Sequence, residues 1–364
     1  MTTIAFTGGG TGGHIYPGLA IARELAQKGS FRLVWIGNKE GMDKRIVEDA
    51  GIEFYGIPTG KFRRYVSFKN LTDLFNIAAG FFKARSILSH IKPDLLFSKG
   101  GFVSVPPCAA AASLGIPVFS HESDYSPGLA TKLNLPFSRK LYTAYPDTIS
   151  FLPKKHQEKA SAIGNPVRAA FYNGDAALGR QFLGITEQER ILLVLGGSQG
   201  ARQVNELIEA CLPEIIKDYV VVHQTGPSQE SRIAATDRYK AYPYIKDELP
   251  HVLAAADLVV GRSGAGTIWE AATAGKPMIL IPLAGSGTRG DQVVNAEYFQ
   301  RAGAAELLIG DAATPENLLG LIKKLSRDSE LRGQMAAASK KIGSVHTAQQ
   351  IAEDIINFIK GDLR

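Results

Sequence analysis

Three times along the chain, a short apolar run ends in a glycine-rich turn that leads into a helix-forming stretch. The three units cover residues 4–22, 191–201 and 254–275. Strands that alternate with helices in this way build parallel sheets with helices on both faces. In such sheets, ligands bind beyond the carboxyl ends of the strands. The pattern predicts an α/β fold of doubly wound, Rossmann-like domains, with ligand-binding groups in the glycine turns.

The third unit opens the most informative stretch, residues 261–295. An apolar run at 254–260 predicts a strand, and a Gly/Ser turn then leads into a helix expected to begin near Thr267. The N-terminus of such a helix presents backbone N–H groups and the positive end of its dipole to an anion. Glu270, one turn into the helix, can accept hydrogen bonds from sugar hydroxyls beside that anion. A phosphate next to a sugar predicts a nucleotide-sugar ligand.

The first unit has the spacing GxGxxG, which is typical of dinucleotide-binding loops. Its glycines are Gly8, Gly10 and Gly13. A dinucleotide site also expects an acidic residue at the end of the second strand, where it binds a ribose. The second predicted strand, 32–36, ends instead in Gly37-Asn38. This disfavours a nicotinamide or flavin enzyme, and we interpret the loop, which ends at His14, as a phosphate cradle.

Two further predicted strands end beside polar or glycine-rich loops. The strand 94–97 precedes the loop 98–104, and the strand 117–120 precedes His121-Glu122-Ser123-Asp124. Because the carboxyl ends of parallel strands meet at one edge of a sheet, we expect these groups and the first glycine loop to share a cleft.

The domain organisation follows from the length and from the restart of the pattern. A chain of 364 residues exceeds one average domain. The strand–glycine–helix pattern starts again at residue 191, after a loop at 164–168. The last predicted helix, 347–360, carries isoleucines at helical spacing, and we expect it to pack on the first domain. We predict an N-domain of residues 1–163 plus 345–364 and a C-domain of residues 164–344.

Composition disfavours several other classes of protein. The net charge of +6 is only a modest hint of anionic partners. Cys108 and Cys211 lie far apart without metal-type spacing, which predicts a reducing compartment and no disulfide framework. The uncharged stretch 100–120 is long enough to span a membrane, but its prolines divide it at helix boundaries. The chain opens without a basic region or a long apolar run, so we expect no secretory signal.

A basic and aromatic segment stands apart at residues 61–85. It contains Lys61, Arg63, Arg64, Lys69, Phe81, Phe82, Lys83 and Arg85, against the single acid Asp73. One interpretation is a solvated basic helix with core aromatics. The other is a membrane patch that docks on anionic lipid headgroups. Nucleic-acid binding is disfavoured, because the aromatics follow no recognised RNA-binding motif.

Five motifs together resemble a known enzyme family. In chain order they are GGGTGGHIYPGLAIA at 8–22, GGFVSVP at 100–106, GNPVR at 164–168, GGSQGA at 196–201 and the stretch 261–295. The chain resembles the bacterial MurG family. That family transfers N-acetylglucosamine from UDP-N-acetylglucosamine to the undecaprenyl-linked muramyl-pentapeptide, lipid I, and so makes lipid II for peptidoglycan and cell-wall synthesis. The motifs span nearly the whole chain in family order, and the combination is highly specific.

The resemblance implies a GT-B fold, in which two Rossmann-like domains with parallel sheets face an interdomain cleft. The C-domain would hold the UDP-sugar and the N-domain the lipid-linked acceptor. The donor contacts that it implies are Thr11, Gly12, Gly13, Asp124, Arg168, Ser198, Ile245, Gly264, Ala265, Gly266, Thr267, Glu270, Asp291 and Gln292. Within this set, Ser198 and the loop 261–266 would face the diphosphate, and Glu270 would bind the ribose.

Other members of the set have roles at the two ends of the donor. Ile245 would contact uracil through its backbone. Gln292, with Asp291, would bind the hydroxyls of N-acetylglucosamine. Arg168 matches a donor-contacting arginine.

One position departs from the family pattern. Where better-known members read HEQN, residues 121–124 read HESD, so Asp124 stands where an asparagine is expected to face the donor. A carboxylate near a diphosphate is repelled unless it binds a hydroxyl or a nearby cation offsets its charge. The role of Asp124 is therefore open at this point.

The implied reaction inverts the anomeric centre, so it needs a base for the acceptor hydroxyl and a stabiliser for the departing UDP. His14 is the first candidate base, because imidazole titrates near neutral pH. Glu122 is the second, and a structural role is the alternative for each. The sequence contains no Asp-x-Asp pair, which suits a transferase that uses no metal or other cofactor.

Three competing functions fit the same architecture. A lipid glucosyltransferase would use another sugar and diacylglycerol, a UDP-N-acetylglucosamine 2-epimerase would need no acceptor, and a sensor would bind the donor without releasing UDP. For the transferase, we expect UDP-N-acetylglucosamine, lipid I and an anionic membrane surface as partners, and no nucleic acid. We expect a peripheral location at the cytoplasmic face of the bacterial membrane.

Overall fold

The computed structural model describes residues 1–60, 69–229, 231, 233–285 and 288–362. The chain divides into two compact units. Unit 1 comprises Met1–Arg168 and His346–Arg364, and unit 2 comprises Ala169–Val345. Lys61, Arg63 and Arg64 of the predicted membrane patch lie outside the described residues.

Unit 1 is built on a seven-stranded parallel sheet with the strand order β3-β2-β1-β4-β5-β6-β7. Its elements are β1 (Thr3–Thr7), α1 (Tyr16–Lys28), β2 (Arg32–Asn38), α2 (Met42–Asp49), β3 (Glu53–Ile57), α3 (Lys69–Ile91), β4 (Leu95–Ser98), α4 (Val105–Ser113), β5 (Val118–Glu122), α5 (Leu129–Asn134), β6 (Ser138–Thr143), α6 (Lys154–Gln157) and β7 (Ala160–Ala162).

Unit 2 is built on a six-stranded parallel sheet with the strand order β10-β9-β8-β11-β12-β13. Its elements are α7 (Ala169–Tyr172), α8 (Ala176–Leu183), β8 (Ile191–Leu195), α9 (Arg202–Ile215), β9 (Val220–Gln224), β10 (Tyr239–Tyr242), α10 (Leu249–Ala255), β11 (Leu258–Gly261), α11 (Ala265–Thr273), β12 (Met278–Leu280), α12 (Asp291–Arg301), β13 (Ala305–Leu307), α13 (Pro315–Arg327) and α14 (Ser329–Gly343). The last helix, α15 (Thr347–Asp362), returns to unit 1.

The central strands are apolar throughout because helices cover both faces of each sheet. In unit 1, Ile4 and Phe6 of β1 share a core with α1 and α15, whereas Ala5 lies in a second core with α3 and α4. This division follows from the alternation of side chains along a strand. In unit 2, Leu192 and Val194 of β8 pack with α9 and α13. The predicted fold class, two doubly wound α/β domains, is confirmed.

The strand order places the ligand-binding edge in each unit. In unit 1, β1 lies between β2 and β4, so the chain leaves β1 on one side and returns on the other. In unit 2, β8 lies in the same way between β9 and β11. Loops that follow the two central strands of such a sheet diverge and open a crevice at its carboxyl edge. The glycine loops after β1 and β8 both lie at such a point.

Three boundaries differ from the sequence expectation. Residues 254–255 end α10 instead of opening β11, in keeping with the strong helix preference of alanine. The helix α11 begins at Ala265 because Gly264 already adopts the extended conformation of an N-cap residue. The strand β5 includes His121 and Glu122, since both pair with β6.

The described part of the basic and aromatic segment lies on α3. Phe81 is half-buried against the core of unit 1, whereas Phe82 is 68% exposed. Lys83 and Arg85 are exposed, and Lys69 is the first residue of the helix. Within the described residues, the structure has no helix whose length and apolar character would let it span a bilayer.

Candidate active site

His14 lies at the carboxyl edge of the unit 1 sheet, in a short turn between β1 and α1. It is half-buried and closes the 3-10 turn Gly12–His14. Its Nδ1 lies 3.2 Å from the main-chain oxygen of Lys99, in the loop after β4. A carbonyl oxygen can only accept, so Nδ1 carries the proton of the neutral ring and Nε2 is the basic nitrogen. The ring therefore has the tautomer that a general base needs.

The imidazole of His14 packs on a stretch of backbone that only glycine allows. Gly100 and Gly101 have φ angles of +83° and +78°, a region that other residues rarely adopt. A Cβ added at Gly101 would lie 2.6 Å from the oxygen of Gly9 and 3.0 Å from Cδ2 of His14. The paired glycines are thus required for the close approach of the two loops.

Asp43, at the start of α2, binds the first glycine loop from within the protein. Its buried carboxylate accepts from the amide of Gly10 at 3.0 Å and from the amide of Asn38 at 3.2 Å. A Cβ at Gly9 would lie 1.9 Å from Oδ2 of Asp43. Burial raises the pKa of this carboxyl. The interpretation of the loop as a phosphate cradle is wrong at Gly10, whose amide already binds an acid.

Glu122, the second candidate base, accepts hydrogen bonds from the loop that follows it. Oε1 accepts from the amide of Asp124 at 3.0 Å. Oε2 accepts from the amide of Gly128 at 2.9 Å and from the hydroxyl of Thr131 at 2.6 Å. The side chain is buried, and both oxygens hold the segment between β5 and α5 in place. This geometry favours a positioning role for Glu122 over proton transfer.

Lys99 is a site residue that the sequence reasoning did not single out. Its buried ammonium donates to the hydroxyl of Ser123 at 2.5 Å, and Ser123 donates to Oδ1 of Asn165 at 2.6 Å. Burial lowers the pKa of Lys99 to about 8, and the charges of Glu122 and Asp124 oppose that shift. A lysine between a strand and two glycines carries no local sign of this role.

The motif GNPVR ends unit 1 beside this cluster. Nε2 of His121 donates to the carbonyl of Gly164 at 2.9 Å. The guanidinium carbon of Arg168 lies 5.4 Å from the ring centre of Tyr16, which opens α1. The motif therefore joins the loop after β5 to the region of the first glycine loop.

In unit 2, the loop after β8 is held by contacts between backbones. Gly200 has a φ of +76°, and a Cβ there would lie 2.0 Å from the oxygen of Thr225. Ser198 lies in this loop and is half-buried. Gln224, which the sequence reasoning missed, donates to the carbonyl of Gly197 at 3.3 Å and accepts from the amide of Ile245 at 2.9 Å. One glutamine thus connects the Ser198 loop with the backbone at Ile245.

The N-terminus of α11 in unit 2 suits an anion. Its N-cap residue is Gly264, which has no side chain, so the helix is uncapped by its own N-cap residue. Gly264, Ala265, Gly266 and Thr267 are each half-buried. An added Cβ at Gly264 or Gly266 would meet no described heavy atom within 4 Å. Uncapped N–H groups beside open space can bind a diphosphate.

The start of α12 is joined to the same turn. Ser263 donates to the carbonyl of Gln292 at 2.7 Å, and Oε1 of Gln292 accepts from the amide of Leu283 at 3.0 Å. The amide nitrogen of Gln292 is then the end that can donate to a sugar hydroxyl. Asp291 pairs with Arg289 at 3.1 Å. Glu270 lies half-buried one turn into α11.

The predicted site residues fall on both units. Unit 1 carries Thr11, Gly12, Gly13, His14, Glu122, Asp124 and Arg168, and unit 2 carries Ser198, Ile245, Gly264, Ala265, Gly266, Thr267, Glu270, Asp291 and Gln292. Each set gathers around the carboxyl edge of its own sheet. Among the described residues, no group of three or more His, Cys, Asp or Glu side chains could hold a metal ion.

Known proteins match both halves of the chain. Residues 4–143 match the glycosyltransferase family 28 N-terminal domain, and residues 191–355 match its C-terminal domain. A protein of Treponema denticola is 45% identical over 98% of each chain, and its name is UDP-N-acetylglucosamine–N-acetylmuramyl-(pentapeptide) pyrophosphoryl-undecaprenol N-acetylglucosamine transferase.

Solved structures support the same assignment. The crystal structure of MurG from Acinetobacter baumannii has a TM-score of 0.75 at 26% identity, with 98% of this chain and 100% of that chain covered. A UDP-N-acetylglucosamine 2-epimerase has a TM-score of 0.69 at 15% identity, over 98% of this chain and 96% of that one. The second likeness shows the shared fold alone. With these matches along both units, the chain belongs to glycosyltransferase family 28 and, within it, to the MurG family of N-acetylglucosamine transferases.

Proposed function

We propose that the protein transfers N-acetylglucosamine from UDP-N-acetylglucosamine to the C4 hydroxyl of the muramyl unit of lipid I, with inversion, to give lipid II for peptidoglycan synthesis. The observation that carries the proposal is the uncapped N-terminus of α11, with Glu270 one turn into the helix. This arrangement suits a diphosphate beside a sugar. It occurs in a chain that is 45% identical to the Treponema denticola transferase over nearly its full length.

Unit 2 binds and polarises the donor. The diphosphate lies against the N–H groups of residues 264–267 and the hydroxyl of Ser198, which stabilise the charge that develops as UDP leaves. Glu270 accepts from the ribose hydroxyls. The amide of Ile245 already donates to Gln224, so its carbonyl is the group that contacts uracil. Gln292 and Asp291 bind the hydroxyls of the sugar.

Unit 1 receives the acceptor. His14 removes the proton of the C4 hydroxyl through Nε2, because Nδ1 donates to the carbonyl of Lys99. Glu122 positions the loop that carries Asp124. Thr11, Gly12 and Gly13 contact the sugar or the acceptor, and Arg168 is a further donor contact.

The direct test is UDP release from UDP-N-acetylglucosamine with and without lipid I. We expect release only when lipid I is present, and a much lower rate with UDP-glucose. Release with diacylglycerol instead of lipid I would identify a lipid glucosyltransferase. Conversion of the donor without any acceptor would identify an epimerase, and binding without release in either case would identify a sensor.

The protein acts at the cytoplasmic face of the membrane, where exposed residues of α3 contact anionic lipid. Leu74, Phe75 and Phe82 are 55%, 70% and 68% exposed, so this one helix presents three large apolar side chains at the surface. Lys83 and Arg85 are exposed on the same helix. Apolar and basic side chains together suit the headgroup region of an anionic bilayer.

Binding to vesicles tests this location. We expect the protein to bind vesicles that contain anionic lipid, and binding to weaken as salt rises, because salt screens exposed charges. Phe75→Ser with Phe82→Ser should weaken binding about tenfold or more, since each removes an apolar group from the lipid contact. The matched control is Phe151→Ser, because Phe151 is 52% exposed but outside α3. A vesicle affinity that changes with neither salt concentration nor lipid charge would contradict the proposal.

Removal of the Asp43 carboxylate should lower turnover without preventing donor binding. Asp43→Ala leaves the amide of Gly10 without its partner, and we expect the loop of His14 to shift. A displacement of about 1 Å at a catalytic group can lower turnover by about 100-fold. The measurement is turnover at saturating substrates, together with donor affinity by calorimetry. Asp43→Asn keeps one acceptor oxygen and should lose less, and full turnover in Asp43→Ala would exclude this role.

A further inference from the structure

Lys99 contacts three separate parts of the unit 1 site. Its amide donates to the carbonyl of Thr7, at the end of β1, at 2.8 Å. Its carbonyl accepts from Nδ1 of His14. Its ammonium donates to Ser123, in the loop after β5, at 2.5 Å. One residue therefore joins the loops after β1, β4 and β5, and its charge is buried where they meet.

Two acids flank the contact of that ammonium along the chain. Ser123 follows Glu122 and precedes Asp124. Because the ammonium lies 2.5 Å from the hydroxyl of Ser123, both neighbouring carboxylates are within Coulomb range of it. Their charges raise the pKa of Lys99 against the effect of burial. The cation and the two acids are thus electrostatically coupled.

This coupling explains how the sequence HESD can carry an acid, Asp124, where better-known members of the family have an asparagine. An uncompensated carboxylate at position 124 would repel an anionic substrate. A carboxylate with a fixed cation nearby produces a much weaker negative electrostatic field at the substrate. A buried ammonium without an acid is equally unfavourable, since charges are rarely buried unpaired. Each charge therefore lowers the electrostatic cost of placing the other in this site.

We propose that Lys99 is a positioning residue whose buried ammonium is the structural counter-charge of Asp124 and Glu122, and that it permits an acid at position 124 in a site that receives an anionic, lipid-linked acceptor. The inference rests on the proposed transferase function. Lys99 does not contact the reacting atoms. It acts through Ser123 on the loop of Asp124, and through its carbonyl on His14.

The test is a double-mutant cycle with Lys99→Met and Asp124→Asn, which remove the two charges and nearly preserve side-chain size. Lys99→Met alone leaves two acids without their cation, and we expect turnover to fall roughly tenfold or more. Removal of one partner of a buried ion pair leaves the other charge without compensation. Asp124→Asn alone should lose less, because the charge of Glu122 still acts on the ammonium. The double variant should lose several-fold less turnover than Lys99→Met alone, since coupled sites are not additive. Its turnover should stay below that of the wild type, because Glu122 remains charged without the cation.

Thermal unfolding gives a second readout that does not depend on catalysis. Lys99→Met should lower the melting temperature, and Asp124→Asn on that background should restore part of the loss. The matched control is Lys28→Met, which breaks the exposed pair of Lys28 with Glu353 and should change neither turnover nor the effect of Asp124→Asn. Exposed pairs of this kind contribute little to stability.

The outcomes separate this inference from the proposed function. If the wild type releases no UDP with lipid I, the transferase proposal fails, and the melting cycle still reports on the charge coupling. If the wild type is active, losses that simply add in the double variant overturn the coupling. Turnover and melting of Lys99→Met at wild-type values would also overturn it. Recovery in the double variant, in either readout, supports it.

Discussion

Replacement of His14 by Ala should lower turnover by about 10²–10⁴-fold, while unit 2 still binds UDP-N-acetylglucosamine with wild-type affinity. Positioned general bases contribute effects of this size. Donor affinity should not change, because the uncapped N-terminus of α11 and Glu270 lie on unit 2, whereas His14 lies on unit 1. Steady-state UDP release at saturating lipid I, with calorimetric donor binding, measures both quantities.

A second substitution at the same position separates proton transfer from loop structure. In His14→Asn, the side-chain amide nitrogen can take the place of Nδ1 and donate to the carbonyl of Lys99, but no basic nitrogen remains. If His14 is the base, the Asn variant should be as slow as the Ala variant. Near-normal turnover in His14→Asn would assign the residue to loop structure instead.

Glu122→Gln provides the comparison with the other candidate base. The amide keeps one acceptor oxygen for the loop that the carboxylate now holds. We expect a much smaller loss of turnover than in His14→Asn. A loss as large as that of His14→Asn would return Glu122 to consideration as the base.

Gly266→Asp should weaken donor binding by about 100-fold or more while leaving the fold at least as stable. A Cβ at this position meets no described heavy atom within 4 Å, so the side chain can be accommodated. An acid in the first turn of a helix stabilises it by about 0.3–1 kcal/mol. The same carboxylate would lie where we propose that the diphosphate binds, and like charges at close range should weaken donor affinity by about 100-fold or more.

The neutral counterpart, Gly266→Asn, controls for size. It adds a side chain of nearly the same shape without a charge, so its loss of affinity should be far smaller than that of Gly266→Asp. Isothermal calorimetry of UDP and thermal unfolding measure the two effects. Equal affinities for the Asp and Asn variants would mean that the diphosphate does not bind at the N-terminus of α11.

Much of the fold could be predicted from the sequence, because its signals are local. The runs at residues 4–6 and 191–195 are apolar and short, and glycines follow them directly. Such runs specify buried parallel strands, and the two sheets are as predicted. Boundaries were less predictable where preferences compete. Residues 254–255 are alanines next to an apolar run, and they end the helix α10, in keeping with the strong helix preference of alanine.

Some residues of the candidate site could be identified from their near neighbours in the sequence, whereas others depend on contacts with distant residues. Gly264, Gly266 and Glu270 lie in the N-cap and the first two turns of one helix, so their spacing alone indicated an anion next to a sugar. His14 also stood out, because it ends a glycine loop. The role of Asp124 did not follow from the motif, since the ammonium whose pKa its charge raises belongs to Lys99, in another loop.

Only the tertiary structure decided which side chains hold these loops in place. Asp43 lies 33 residues from Gly10, Lys99 lies 24 from Ser123, and Gln224 lies 21 from Ile245. The sequence by itself determined the strands, the glycine turns and the helix N-terminus, because backbone preferences act over a few neighbouring residues. The order of the strands in each sheet determined the partners of Asp43, Lys99 and Gln224, because each of these contacts joins loops or strand ends that adjacent strands bring together.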